Sequence, residues 1–96
     1  MNYRIIEAIE NRKVIKFYYE NKLRIVEPHC YGITLAGNEG LRAFQIGGHS
    51  SSGKMGWKMY DLSKVANIET LEDTFPTPRL GYKKGDKGMD EIYAEL

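Results

Sequence analysis

Val14-Ile15-Lys16-Phe17-Tyr18-Tyr19-Glu20-Asn21-Lys22-Leu23-Arg24-Ile25-Val26 is the stretch whose pattern decides the fold. Ile15, Phe17 and Tyr19 alternate with Lys16, Tyr18 and Glu20, the period of two that sends successive side chains to opposite faces of a strand. Asn21 and Lys22 make a tight turn, although without the glycine that strengthens such a signal. Leu23 to Val26 then return as a second strand.

Upstream, Ile5, Ile6 and Ile9 follow Asn2 with Glu7 and Glu10 between them, a helix-period stripe that ends near Asn11. A helix this short needs its Ile face packed on something. Downstream, Pro28 interrupts the second strand and predicts an edge position or a bulge, because proline has no amide hydrogen to give to a ladder. Tyr31, Ile33 and Leu35 resume the alternation, and Gly37 to Gly40 turn the chain. Leu41 to Ile46 reads as the third strand, Trp57 to Leu62 as the fourth and Val65 to Leu71 as the fifth. One leading helix and about five short strands with short turns predict a mainly β, α+β domain, a small antiparallel barrel or strongly bent sheet over residues 1–75. Residues 76–96 change in composition, with Pro76, Pro78, Gly81, Gly85 and Gly88 among lysines. They predict an arm wrapped over the surface or partly mobile, with a terminal helical turn or two carrying Ile92, Tyr93 and Leu96.

Ninety-six residues suffice for one core. The formal net charge of +1 gives no overall attraction for nucleic acid, so any anion-binding surface has to be local. The single cysteine, Cys30, forbids an intrachain disulfide and fits a reducing compartment. No apolar run reaches the length of a signal core or a membrane span, and the expected location is cytoplasmic.

Gly48-His49-Ser50-Ser51-Ser52-Gly53-Lys54 has the spacing of a phosphate-cradling loop, but Met55 stands where a metal-binding hydroxyl is needed. Gly56-Trp57 then opens a strand where that motif needs a helix. What remains is an anion-binding nest of amides, the hydroxyls of Ser50, Ser51 and Ser52, and Lys54, or a plain hairpin loop. His29 beside Cys30 suggests a catalytic dyad, yet neighbouring strand residues point apart; the expectation is an exposed His29 and Cys30 as a small buried hydrophobe. Two distant histidines make no metal site. Arg24, Glu27, His29, Arg42 and Gln45 are polar residues lodged in apolar strands. Arg24 or His29 with Arg42 would form a small basic patch, or the arginines would simply pair with Glu27 at the surface. Trp57, flanked by Lys54 and Lys58, either stacks a base while the lysines hold phosphate or caps the barrel end under the tail beside Tyr82 and Tyr93. Lys83, Lys84 and Lys87 read as a solvated run rather than a binding arm.

The order of these pieces resembles the WYL-domain family over residues 4–75. The resemblance rests on Val14-Ile15-Lys16-Phe17-Tyr18-Tyr19, Arg24-Ile25-Val26-Glu27-Pro28, Leu41-Arg42-Ala43-Phe44 and Lys58-Met59-Tyr60-Asp61-Leu62-Ser63-Lys64-Val65. Of the naming tripeptide only Leu41 is present, after Glu39 and Gly40, and Lys58 and Lys64 stand where the family often has arginine. The resemblance implies an Sm-like, SH3-like barrel, found mostly as a sensory module of bacterial transcription regulators that binds nucleic acid or nucleotide-like effectors. The chain has no room for a helix-turn-helix, so a role in transcription regulation would need a partner regulator. The resulting expectation is a non-enzymatic module without cofactor or metal, binding single-stranded nucleic acid or a nucleotide-like effector through Arg24, His29, Arg42, Gln45, Ser50, Ser51, Ser52, Lys54, Trp57 and Lys58. The alternative is a protein-interaction or homo-oligomeric assembly subunit with no nucleic-acid ligand.

Overall fold

A computed structural model describes all 96 residues. Helix α1 (Tyr3–Glu10) is followed by strands β1 (Lys13–Tyr19), β2 (Lys22–Thr34), β3 (Glu39–Gly48), β4 (Gly56–Asp61) and β5 (Val65–Thr74), and β6 (Met89–Glu95) ends the chain. The strands form one antiparallel sheet in the order β4-β3-β2-β1-β5, with β6 added to β2. The chain is thus mainly β with one short helix. The expected barrel is not closed: β4 and β5 are the two ends of the path, and a 3-10 turn at Leu62–Lys64 carries the chain between them.

Asn2 starts α1 by accepting hydrogen bonds from the amides of Arg4 and Ile5 at 3.1 and 3.2 Å, which satisfies two of the first-turn donors that have no partner within the helix. Ile5, Ala8 and Ile9 then bury against Ile15, Phe17, Val26, Tyr31, Leu41, Ala43 and Tyr60. Each buried isoleucine contributes about 2–3 kcal/mol of transfer free energy, which a helix of two turns needs from its partners.

The β1–β2 turn falls at Glu20 and Asn21, one residue earlier than the sequence suggests. Both residues have positive φ, 53° and 64°, the backbone of a hairpin turn whose twist matches the strands. Tyr19 pairs with Lys22 across it.

β2 is the spine of the sheet. Its first half runs between β1 and β3, and its second half between β3 and β6. Pro28 is therefore not on an edge strand; it sits at a bulge, where the register with β3 shifts between Pro28 and Cys30. Its missing donor also falls in the gap between the last β1 pair, at Val26, and the first β6 pair, at Cys30. The terminal helical turn expected over residues 89–96 is instead β6, which covers the part of the β2 edge that β1 leaves open. Gly32 permits the close approach: a Cβ there would lie 1.9 Å from the carbonyl oxygen of Glu91.

The sheet has two covered faces. One packs on α1 and forms the main core. The other lies under residues 75–88, an arm anchored at Phe75 and Met89, both buried.

Candidate functional site

Alternation along β2 and β3 divides the residues expected to form one site. Arg24 pairs with Phe17, and Gln45 with Val26, so both belong to the helix-side face with the core. Arg42 lies between Leu41 and Ala43, both core residues, and so points to the arm side, as does Trp57 opposite Phe44. Arg24 and Arg42 do not share a face.

His29 is fully buried rather than exposed. The bulge beside Pro28 turns its ring to the arm side, where it packs 4.7 Å from Trp57, 5.2 Å from Tyr82 and 5.5 Å from Phe75, centroid to centroid. Its Nε2 accepts the amide of Arg79 at 3.0 Å, which leaves Nδ1 to donate to the carbonyl of Glu27 at 2.8 Å. Burial is the main reason its pKa is lowered. Cys30 is also buried, and burial pushes its thiol up to about 12, far from a nucleophile's range. With both ring nitrogens engaged and the thiol protonated, the pair is a packing element of the arm interface.

Arg79 holds the arm down. Its guanidinium grips Glu27 through two bonds of 2.7 and 3.0 Å and lies 4.7 Å above the Phe44 ring. Glu27 thus pairs with an arginine of the arm rather than with Arg24 or Arg42. Trp57 donates its indole N–H to the carbonyl of Leu80 at 3.1 Å and stacks with Tyr82 at 6.2 Å. Tyr93, its other expected companion, packs on Tyr31 instead.

Beyond Tyr82 the arm lifts to form an open cleft of about 390 Å³, lined by Arg42, Trp57, Tyr82, Lys83, Lys84, Asp86 and Lys87 with Gly81 and Gly85. Asp86 is its one acid. Asp86 accepts from Arg42 at 2.8 Å, and this bond, ahead of burial, holds its carboxyl below the usual range. Gly88 fits beside this pair because it has no side chain: a Cβ would lie 3.0 Å from Arg42 and 3.1 Å from Asp86. Lys83, Lys84 and Lys87 are exposed and take part in no ion pair. Three unpaired ammonium groups and two aromatic rings therefore share one concave surface. The sequence alone presents these lysines as a solvated run, since nothing local shows that the arm folds back beside Trp57.

The serine loop is closed on itself. Lys58 donates to Ser50 and Ser52 at 3.1 and 3.3 Å. The amide of Gly53 is bonded to the Ser50 carbonyl and that of Lys54 to Ser52, so these two are not free for an anion. Ser51 and Lys54 are exposed. Gln45 is buried, with its amide nitrogen on the carbonyls of Gly47 and His49 at 2.9 and 2.7 Å, and it braces the exit of β3 into the loop. No family model, curated protein or solved structure matches the chain.

Proposed function

We propose that the chain is a non-enzymatic binding module whose arm-side cleft takes single-stranded nucleic acid or a nucleotide-like effector. The observation that carries this reading is the grouping of unpaired Lys83, Lys84 and Lys87 with Trp57 and Tyr82 around one cleft whose only acid is tied to Arg42. Phosphates take the lysines as point charges, and a base takes the face of an aromatic ring. The resemblance to WYL domains points to the same ligand class, with the basic and aromatic surface displaced onto the arm. The test is the fluorescence of Trp57, the sole tryptophan, titrated with short single-stranded oligonucleotides at low and high salt. Quenching that weakens as salt rises supports the proposal, and an unchanged emission sinks it.

One observation favours the assembly reading. Leu80 is 97% exposed beside Trp57, and Met55 and Ile46 are also exposed large hydrophobics. Light scattering decides this: a defined oligomer that Leu80→Ser disperses would favour assembly through the arm.

A further inference from the structure

His29 is fully buried in the arm interface, and its two ring nitrogens serve opposite purposes there. Nδ1 donates to the Glu27 carbonyl at 2.8 Å, while Nε2 accepts the Arg79 amide at 3.0 Å. Only the neutral ring can do both, because an imidazolium carries a hydrogen on each nitrogen and accepts from neither. A second proton would set the Nε2 hydrogen against the Arg79 amide hydrogen, donor against donor.

The surroundings offer a charged ring little in return. Burial is the strongest influence and works against the charge; the Glu27 carbonyl and carboxylate favour it, and the Arg79 guanidinium opposes it. Both oxygens of Glu27 are already engaged by Arg79. The Tyr82 phenol and the Cys30 thiol are pushed up to about 12, chiefly by burial, and stay neutral. Trp57 of β4 and Phe75 of the arm pack on the ring without a titrating group. Further along the arm, Asp86 is bound to Arg42, and Glu95 of β6 accepts the Gly85 amide.

The run that His29 holds is the one that shapes the cleft. Arg79 is followed by Leu80, whose carbonyl accepts the Trp57 indole, and by Gly81, Tyr82, Lys83 and Lys84, which line the cleft. Between Arg79 and Tyr82 this run is tied down by the Arg79 amide on His29, the Arg79 guanidinium on Glu27, the Leu80 carbonyl on Trp57 and the Tyr82 hydroxyl on Leu96. Protonation of the ring removes the first of these directly.

We propose that His29 is a proton-operated latch whose protonation releases the Arg79–Tyr82 run from the sheet and dismantles the cleft. An open arm leaves the ring in water, where it takes up a proton near pH 6.5, about the ordinary histidine value. The closed arm refuses that proton, so below this pH the ratio of closed to open arm falls by up to about tenfold per pH unit until the closed-state pKa is passed. The loss of ligand in acid rests on the cleft reading; the latch does not.

The test follows the intact chain from about pH 8 to about pH 5. Trp57 emission is expected to move to the red, and the Arg79 amide to lose exchange protection, along the curve traced by the His29 ring resonances, while residues 14–19 stay protected. A short oligonucleotide without terminal phosphates, whose diesters do not titrate here, should bind with an affinity that falls by up to about tenfold per pH unit over the same window. His29→Gln keeps an acceptor without a titrating ring and should flatten these curves. His49→Gln, at the exposed second histidine, should leave them unchanged. The latch is overturned if Trp57 and Arg79 ignore the His29 titration, or if residues 14–19 lose protection together with the arm. It is equally overturned if His29→Gln keeps the wild-type curves, or if His49→Gln flattens them. An oligonucleotide that binds at no pH sinks the cleft reading and leaves the emission and exchange curves to decide the latch. If His29→Gln does not fold, coincidence of the wild-type curves with the His29 titration decides.

Discussion

Replacement of the cleft lysines should change the salt dependence of oligonucleotide binding by an amount set by the number of unpaired cations. Lys83, Lys84 and Lys87 line the cleft free of ion pairs, whereas Arg42 is held by Asp86 at 2.8 Å. With each phosphate contact on a single strand contributing about −0.7 to the slope of log K against log salt, three contacts give a slope of about −2.1. A fourfold rise in salt then weakens binding about 18-fold. Removal of one lysine, as in Lys84→Gln, brings this to about 7-fold. If ligand phosphate instead displaces Asp86 and recruits Arg42, the slope approaches about −2.8 and the loss about 50-fold. Asp86→Asn should then tighten binding in wild type's place by freeing that arginine. The assay is Trp57 quenching by a short unlabelled oligonucleotide at several salt concentrations. A slope near zero in wild type, or one unchanged in the triple glutamine variant, would refute the assignment of these lysines to phosphate.

Arg79→Met leaves the Glu27 carboxylate, only 6% exposed, without its cation, and should cost about 2–3 kcal/mol in urea unfolding while shifting Trp57 emission to the red. A loss within 0.5 kcal/mol, on the order of an ordinary surface change, would mean that the arm is held by its apolar contacts alone. His29 has a lowered folded pKa, so as pH falls the unfolded chain takes up its proton first. Stability should be complete above about pH 6.5 and should decline below it until the folded pKa is passed. Asp86 acts lower, since its carboxyl is depressed by Arg42 and its contribution fades only through the acid range. An NMR titration of His29 in the native state that places its pKa above the unfolded value would contradict this. Gly32→Ala puts a methyl 1.9 Å from the Glu91 carbonyl oxygen and should detach β6, seen as loss of amide-exchange protection over residues 89–95 with β1–β3 still protected.

The sheet was legible where side chains alternate and turns are short. Phe17, Tyr31 and Tyr60 are all core residues because period-two patterning over each strand places them there. Closure was not legible, because whether β4 meets β5 depends on strand lengths and on the path through Leu62–Lys64, neither of which the pattern specifies. The end of the chain was not legible for a related reason: Met89 to Glu95 can be patterned as helix or strand, and a short run takes whichever form its neighbours can pair with. The signal lay elsewhere in the sequence, at Gly32, an isolated glycine in a strand, which marks a close approach of another backbone.

The site was harder to read because alternation gives a residue's face only once the register and bulges are known. Pro28 signalled a bulge, yet one residue of slip there decides whether His29 faces solvent or the arm. It faces the arm, and so the basic residues of β2 and β3 separate: Arg42 joins Trp57 and the tail lysines, while Arg24 is left under the opposite face with Tyr19 and Tyr60. The arm explains the arm-side arrangement. By supplying Arg79 it neutralises Glu27, which lies opposite Phe44 on that face, and by supplying Lys83, Lys84 and Lys87 it places three unpaired cations beside Trp57. The residues 76–96 that composition marks as an appendage therefore determine which charges on this face remain without a partner.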